Sequence, residues 1–165
     1  MKIYSKSVDE SDIYIIKGDA ILLFSTPIIA GCLLNPKHRK KWDKTLILKK
    51  IEKGPRLSPT SHVMYISIKT RVFITYTDMV AIIWVYSFED GTFLLGSHSI
   101  VHPEFAETSN RVRANCYCAM WYIGPNFDGD FNRESRVTYY THISLGGSLP
   151  AFVVNTASVD IQQVL

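Results

Sequence analysis

Residues 71–101 read RVFITYTDMVAIIWVYSFEDGTFLLGSHSIV. The run from Arg71 to Phe88 is rich in Val, Ile, Thr, Tyr, Phe and Trp, side chains that suit a pleated, half-buried surface. Glu89-Asp90-Gly91 then turns the chain into a second such run, Thr92 to Val101. So short a connection permits antiparallel neighbours, whereas a parallel pair needs a crossover of about a dozen residues or more. The stretch therefore predicts strand, tight turn, antiparallel strand.

Downstream, Asn110 to Ile123 and Glu134 to Leu145 are two further β runs, separated by the polar turn Pro125 to Asp130. Gly146-Gly147-Ser148 ends the β pattern, and Leu149-Pro150 opens a segment to Leu165 whose apolar residues have the spacing of an amphipathic helix. Upstream, His62 to Ile68 reads as a strand after a break at Gly54-Pro55. Lys2 to Ser7 and Ile13 to Phe24 form a hairpin around the polar residues Val8-Asp9-Glu10-Ser11. Between hairpin and His62, Thr26-Pro27 and Asn35-Pro36 each place a capping side chain before a proline, which predicts two short helices. The first carries Ile28, Ile29, Cys32 and Leu33, and the second runs to Trp42-Asp43, with Trp42 as its anchor. The expected class is α+β, a curved antiparallel sheet against a C-terminal helix, with residues 1–165 forming one domain.

Composition narrows the function. The 165 residues are 47% hydrophobic and 20% charged, the balance of a folded globular chain. The apolar stretches are interrupted by Pro27 or bounded by Asp78 and Glu89, and none reaches the ~20 residues that a membrane span needs. The first five residues, Met1-Lys2-Ile3-Tyr4-Ser5, do not resemble a secretory signal. A net charge of +3 is too mild for a nucleic-acid binder, although Lys37 to Lys41 and Lys44 crowd together. Cys32, Cys116 and Cys118 are odd in number, and the close pair suits reduced thiols in a cytoplasmic protein better than a disulfide or a zinc site.

Several motifs in this order resemble the START lipid-transfer family, whose helix-grip fold wraps a sheet around a helix. Asn35-Pro36-Lys37-His38-Arg39-Lys40-Lys41-Trp42-Asp43 is similar to a signature after the family's first hairpin. Thr77-Asp78-Met79-Val80 stands where the family has Arg-Asp-Phe-Val, and Ser99-Ile100-Val101-His102-Pro103 is similar to a family strand end. Val112-Arg113-Ala114, Ile123-Gly124-Pro125, Val137-Thr138-Tyr139 and Gly147-Ser148-Leu149-Pro150 with Asn155 extend the resemblance to Leu165. The chain departs from the pattern at Thr77, at Ile83 where lipid-binding members carry a buried Arg, and near Met64 where its acidic partner falls. Ser144 and Ser148 replace a conserved Asp and Trp. The family's N-terminal helix is expected to be missing and its last helix short.

The resemblance implies a lipid carrier with an internal apolar cavity, no cofactor, no metal and no catalytic residue, acting as a monomer that touches membrane surfaces transiently. Losing both members of a buried ion pair together, at Met64 and Ile83, favours a sterol, fatty acid, diacylglycerol or similar lipid over a phospholipid that needs a guanidinium. Strand alternation puts Thr77, Met79, Ala81, Ile83 and Val85 on one face, which lines the cavity if Ile83 faces inward. Met64 joins them, and the same argument applied to the next long run adds Arg113, Tyr117 and Trp121. His142 in the last strand is a further candidate, and for Arg113 an ion pair with Asp78 is the simpler reading. The entrance is expected at Phe88 together with Phe152 and Val153 of the C-terminal helix.

Two other functions fit the same scaffold, a protein-interaction module and a cavity-based cyclase or hydrolase. The sequence contains no nucleophile elbow, phosphate-binding glycine loop or dinucleotide fingerprint, and its five histidines are scattered. The carboxylate pairs Glu89-Asp90 and Asp128 with Asp130 sit in turns, where solvation explains them.

Overall fold

The computed structural model describes residues 1–9, 11–35, 37–38, 41, 46–70, 77–128, 133–147, 150–152 and 154–156; of 46–53 and 68–70 the backbone course alone is described. The expected hairpin is present as β1 (Lys2–Val8) and β2 (Ser11–Leu22), followed by α1 (Thr26–Leu34). Next come β3 (Leu46–Ser58), β4 (Ser61–Thr70), β5 (Thr77–Ser87) and β6 (Phe93–Ser99). A 3-10 turn at Pro103–Phe105 leads to β7 (Val112–Arg113), β8 (Asn115–Pro125) and β9 (Ser135–Ser144). Helical backbone resumes after Pro150, whose carbonyl accepts from Val154 N at 3.5 Å. The second short helix falls mostly outside the described residues, as do Arg71 to Tyr76 and the chain beyond Thr156.

The strands form a nine-stranded sheet in the order β1-β2-β9-β8-β6-β5-β4-β3, with β7 beside β5. All the pairings along this order are antiparallel; β7 pairs in parallel with β5 through Thr77↔Val112 and Asp78↔Arg113. The turn after β5 closes as its sequence demands: Phe88 N donates to Thr92 O at 2.9 Å, Asp90 Oδ1 accepts from Thr92 N, and Gly91 takes φ 81.

Two expectations need correction. Leu46–Ser58 forms an edge strand where a break at Gly54-Pro55 was expected. The pairing with β4 shifts register between Lys53 and Arg56, so Pro55 sits at a bulge in an edge strand, where its missing N–H costs no ladder bond. Gly54 is there for space, since a Cβ would come within 3.0 Å of both the Phe105 ring and Val63. The single strand expected over Asn110 to Ile123 is divided at Ala114, whose N–H donates to Asp78 O at 2.8 Å before the chain enters β8.

Apolar side chains gather into two clusters. One joins Met64, Ile66, Met79, Ala81, Ala114 and Cys116, flanked by Ile83, Ala119 and Ile143. The other seats Ile29 and Ala30 of α1 on Leu95, Ile123 and Val137, with Val85 and Trp121 at its margin. Register shows that both occupy the sheet face that α1 covers: Met64 opposes Ala81, Ile83 opposes Ser97, and Ser97 opposes Ala119. That is the inner face.

Candidate functional site

The inner face at β4, β5 and β6 combines Met64, Ile66, Met79, Ile83 and Leu95 with the small side chains of Ala81, Ser97 and Ser99, and His62 stands on it directly opposite Ile83. Met79 and Ile66 oppose each other, as do Ala81 and Met64, while Ile83 lies next along β5 and diagonal to Met64. Methionines deform readily, and the alanine and serines beside them are small, so this face can repack around a guest. Thr77 and Val85 stand at the two ends of the same β5 face, Thr77 buried and Val85 against the α1 cluster. Trp121 also faces inward, its ring stacked on Tyr139 at 4.0 Å.

Strict alternation fails in β8, and this relocates two expected site residues. A register shift between Cys116 and Cys118 lets Cys116 oppose Ile143 while Cys118 opposes His142. Cys116 thereby turns inward and is fully buried, and Tyr117 is displaced outward with 52% of its surface exposed. Its ring rests on His142, 4.6 Å between centroids, and His142 Nε2 is 3.4 Å from Ser11 Oγ. Tyr117 and His142 therefore belong to the outer face. The bulge frees the Cys116 N–H, which donates to Ser99 Oγ at 2.8 Å. Burial pushes the Cys116 thiol up to about 11, so it stays protonated and unreactive at neutral pH.

Arg113 is also on the outer face. Its Nε donates to Asp78 Oδ1 at 2.7 Å, and Nη2 donates to Phe105 O at 3.0 Å. Asp78 additionally accepts from Tyr65 Oη at 3.1 Å, while Arg111 donates to Tyr65 Oη and to Ser67 Oγ. Phe105 stacks on Tyr65 above this network, 5.3 Å between centroids. Burial, with the Asp78 charge next to it, raises the Tyr65 phenol above its ordinary value. The segment Pro103 to Arg113 is thus clipped across the outside of β4 and β5. This explains why Val63 and Val80, whose side chains point away from the inner face, are nevertheless fully buried.

The start of the C-terminal helix is anchored at the hairpin end of the sheet. Gly146 and Gly147 both take positive φ, and a Cβ on Gly146 would approach Arg113 O to 2.5 Å. Asn155 then bridges to β2 twice: its Oδ1 accepts from Tyr14 N at 2.9 Å and its Nδ2 donates to Asp12 O at 3.1 Å. Val154 beside it is buried. Phe152 is exposed, and Val153 lies outside the described residues. Phe88 is exposed at the opposite end, in the turn whose Gly91 O accepts from Thr26 Oγ1 of α1. The eight steps along β2 from Tyr14 to Leu22, at ~3.3 Å each, put the two ends roughly 25 Å apart along the strands. The structure does not bring Phe88 and Phe152 together into one entrance. Among the described residues no group of three or more His, Cys, Asp or Glu side chains could hold a metal ion.

An antiparallel sheet with a helix packed on one face and the start of its last helix fastened to the first hairpin is the arrangement of the helix-grip class. The START domain model matches residues 6–161, and the chain belongs to this lipid-binding family. Human STARD10 superposes with a TM-score of 0.80 at 20% identity, covering 98% of this chain and 67% of that one. Human StAR-related lipid transfer protein 5 gives 0.84 at 20% identity, with 98% and 76% covered. A STAR-related lipid transfer protein fragment from Xanthomonas axonopodis gives 0.76 at 20% identity, with 98% and 86% covered. At these identities the likeness is one of fold. No curated protein matches the sequence significantly.

Proposed function

We propose that this chain binds a lipid with a small polar end, such as a sterol, fatty acid or diacylglycerol, against the inner face of the sheet and carries it between membranes without catalysis. The observation that supports this reading is the pair Met64 and Ile83. They lie diagonally on neighbouring strands of one face, within one apolar cluster, at the positions where the family resemblance led us to expect an acid and an arginine. His62 stands directly opposite Ile83 on that face, so a phosphate-bearing head group would meet an imidazole there and no guanidinium. Met64, Thr77, Met79, Ala81, Ile83, Val85 and Trp121 are the residues we assign to the lipid.

The test begins with mass spectrometry of an organic extract from natively purified protein, where a stoichiometric lipid is expected. Absence of any lipid would favour a side-chain-filled interior or an interaction module. Ile83→Arg should lower lipid occupancy at least roughly tenfold, because it places an unpaired charge on the apolar face, while Ile83→Leu should retain it. Equal occupancy in both variants would remove Ile83 from the site.

A further inference from the structure

α1 has an unusual composition for a helix at the surface of a water-soluble sheet. Its nine residues, TPIIAGCLL, include no charged side chain. Ile29 and Ala30 are spent on the core, yet Ile28 is 53% exposed on the other side and Leu34 is exposed at the C-terminal end. A helix that is apolar all round calls for an apolar partner on its outer side as well. The chain leading into it adds to the same surface, with Leu23 75% and Phe24 58% exposed. Their positions are fixed: Phe24 O accepts from Ser135 Oγ at 2.6 Å, and Thr26 Oγ1 donates to Gly91 O at 2.8 Å, which brings the Phe88 turn alongside.

We propose that the outward face of α1, with Leu23 and Phe24 before it, docks on the surface of an anionic lipid bilayer. The outward side of a helix is a convex ridge, and Leu23, Phe24 and Ile28 are all more than half exposed on it, so it suits a deformable apolar medium better than a folded partner segment. Charge selects the kind of bilayer. Lys37 and Lys41, both exposed, follow directly after the helix, and Lys37 N is fixed by Asn35 Oδ1 at 3.0 Å. An apolar ridge ending in cations matches acyl chains beneath negatively charged head groups. The proposal rests on the lipid-carrier reading, since a carrier must meet a membrane to load and unload.

The probe is sedimentation with vesicles of phosphatidylcholine, with and without phosphatidylserine, using the full chain. The triple variant Leu23→Ser, Phe24→Ser, Ile28→Ser should partition at least about tenfold less onto phosphatidylserine-containing vesicles, because several apolar side chains no longer insert. Lys37→Glu with Lys41→Glu should reduce binding to those vesicles by roughly tenfold or more and leave binding to pure phosphatidylcholine unchanged. Both variants should keep the wild-type melting temperature, since the altered side chains are exposed. Lipid extracted from the triple variant should equal that from wild type, which separates docking from carriage. Unchanged partition of the triple variant overturns the proposal. So does a wild type that ignores vesicles but forms a dimer that the triple variant abolishes, for then the ridge meets a second copy.

Discussion

Cys116 couples the chemistry of one side chain to the pH dependence of the whole chain. The thiol ionises near 9 when unfolded and at about 11 when folded. Above pH 9 the unfolded state therefore sheds its proton first, and stability falls by ~1.4 kcal/mol per pH unit until pH reaches about 11. Urea titrations of wild type and Cys116→Ala between pH 8 and 11 check this, since the difference between them should shrink or reverse as pH rises. Below pH 9 the same burial protects the thiol, so iodoacetamide should alkylate exposed Cys118 first. Asp78 and Arg113 raise a second matter at this scale. Asp78 is 2% exposed and takes its charge partner from Arg113, so Arg113→Met strands a buried carboxylate. A loss of ~3 kcal/mol or more is expected in urea denaturation, whereas Asp78→Leu combined with Arg113→Met should recover part of it.

Among the elements, the C-terminal helix is held by Asn155, and Asn155→Ala removes both of its bonds to β2. Hydrogen exchange should then speed up in residues 150–156 while β8 and β9 stay protected, at a cost of ~1–2 kcal/mol. Gly96 supports a different element. A Cβ there would come within 1.9 Å of the Trp84 ring, so Gly96→Ala should drive Trp84 off the sheet, shift tryptophan emission and destabilise by ~1–3 kcal/mol. Much of this architecture was legible in the residues. Period-two patterning and short turns gave the hairpin, β4 to β6, β8 and β9, and Thr26-Pro27 marked where α1 begins. Thr26 is not its cap, however: the N-cap is Ser25, without a side-chain cap bond, and the Thr26 hydroxyl donates to Gly91 O. What escaped was decided by partners remote in sequence. β3 hid behind its own lysines and Gly54-Pro55, which are edge-strand features that become readable once β4 and Phe105 are in place. The facing of Tyr117 and His142 turned on one bulge, and a one-residue slip inverts every side chain beyond it. Alternation counted back from Trp121 cannot reveal that slip, although the Ser99 hydroxyl that accepts from Cys116 N is its structural counterpart. For β5, free of such a shift across its pairings with β4 and β6, the inner-face assignment of Met79, Ala81, Ile83 and Val85 agrees with the register.

At the scale of the molecule, the clipped segment Pro103 to Arg113 and the ridge around α1 lie on different sides of the sheet, so they can be altered independently. Phe88→Ser should slow transfer of a labelled lipid between vesicles by several-fold, because its turn adjoins the ridge, and leave occupancy intact. A wild-type rate would detach that turn from docking. The strand order has another effect, felt before the protein is complete. β2 is flanked by β1 and β9, and Ile16 finds its partner in Thr141, 125 residues later. At ~5–20 residues per second the ribosome needs roughly 6–25 s to supply that partner. Throughout this interval the first hairpin has an open, apolar strand and nothing to close it. Protease pulses on stalled translation products should therefore cut the hairpin freely until β9 has cleared the exit tunnel, and resistance before that point would show that the hairpin closes without β9.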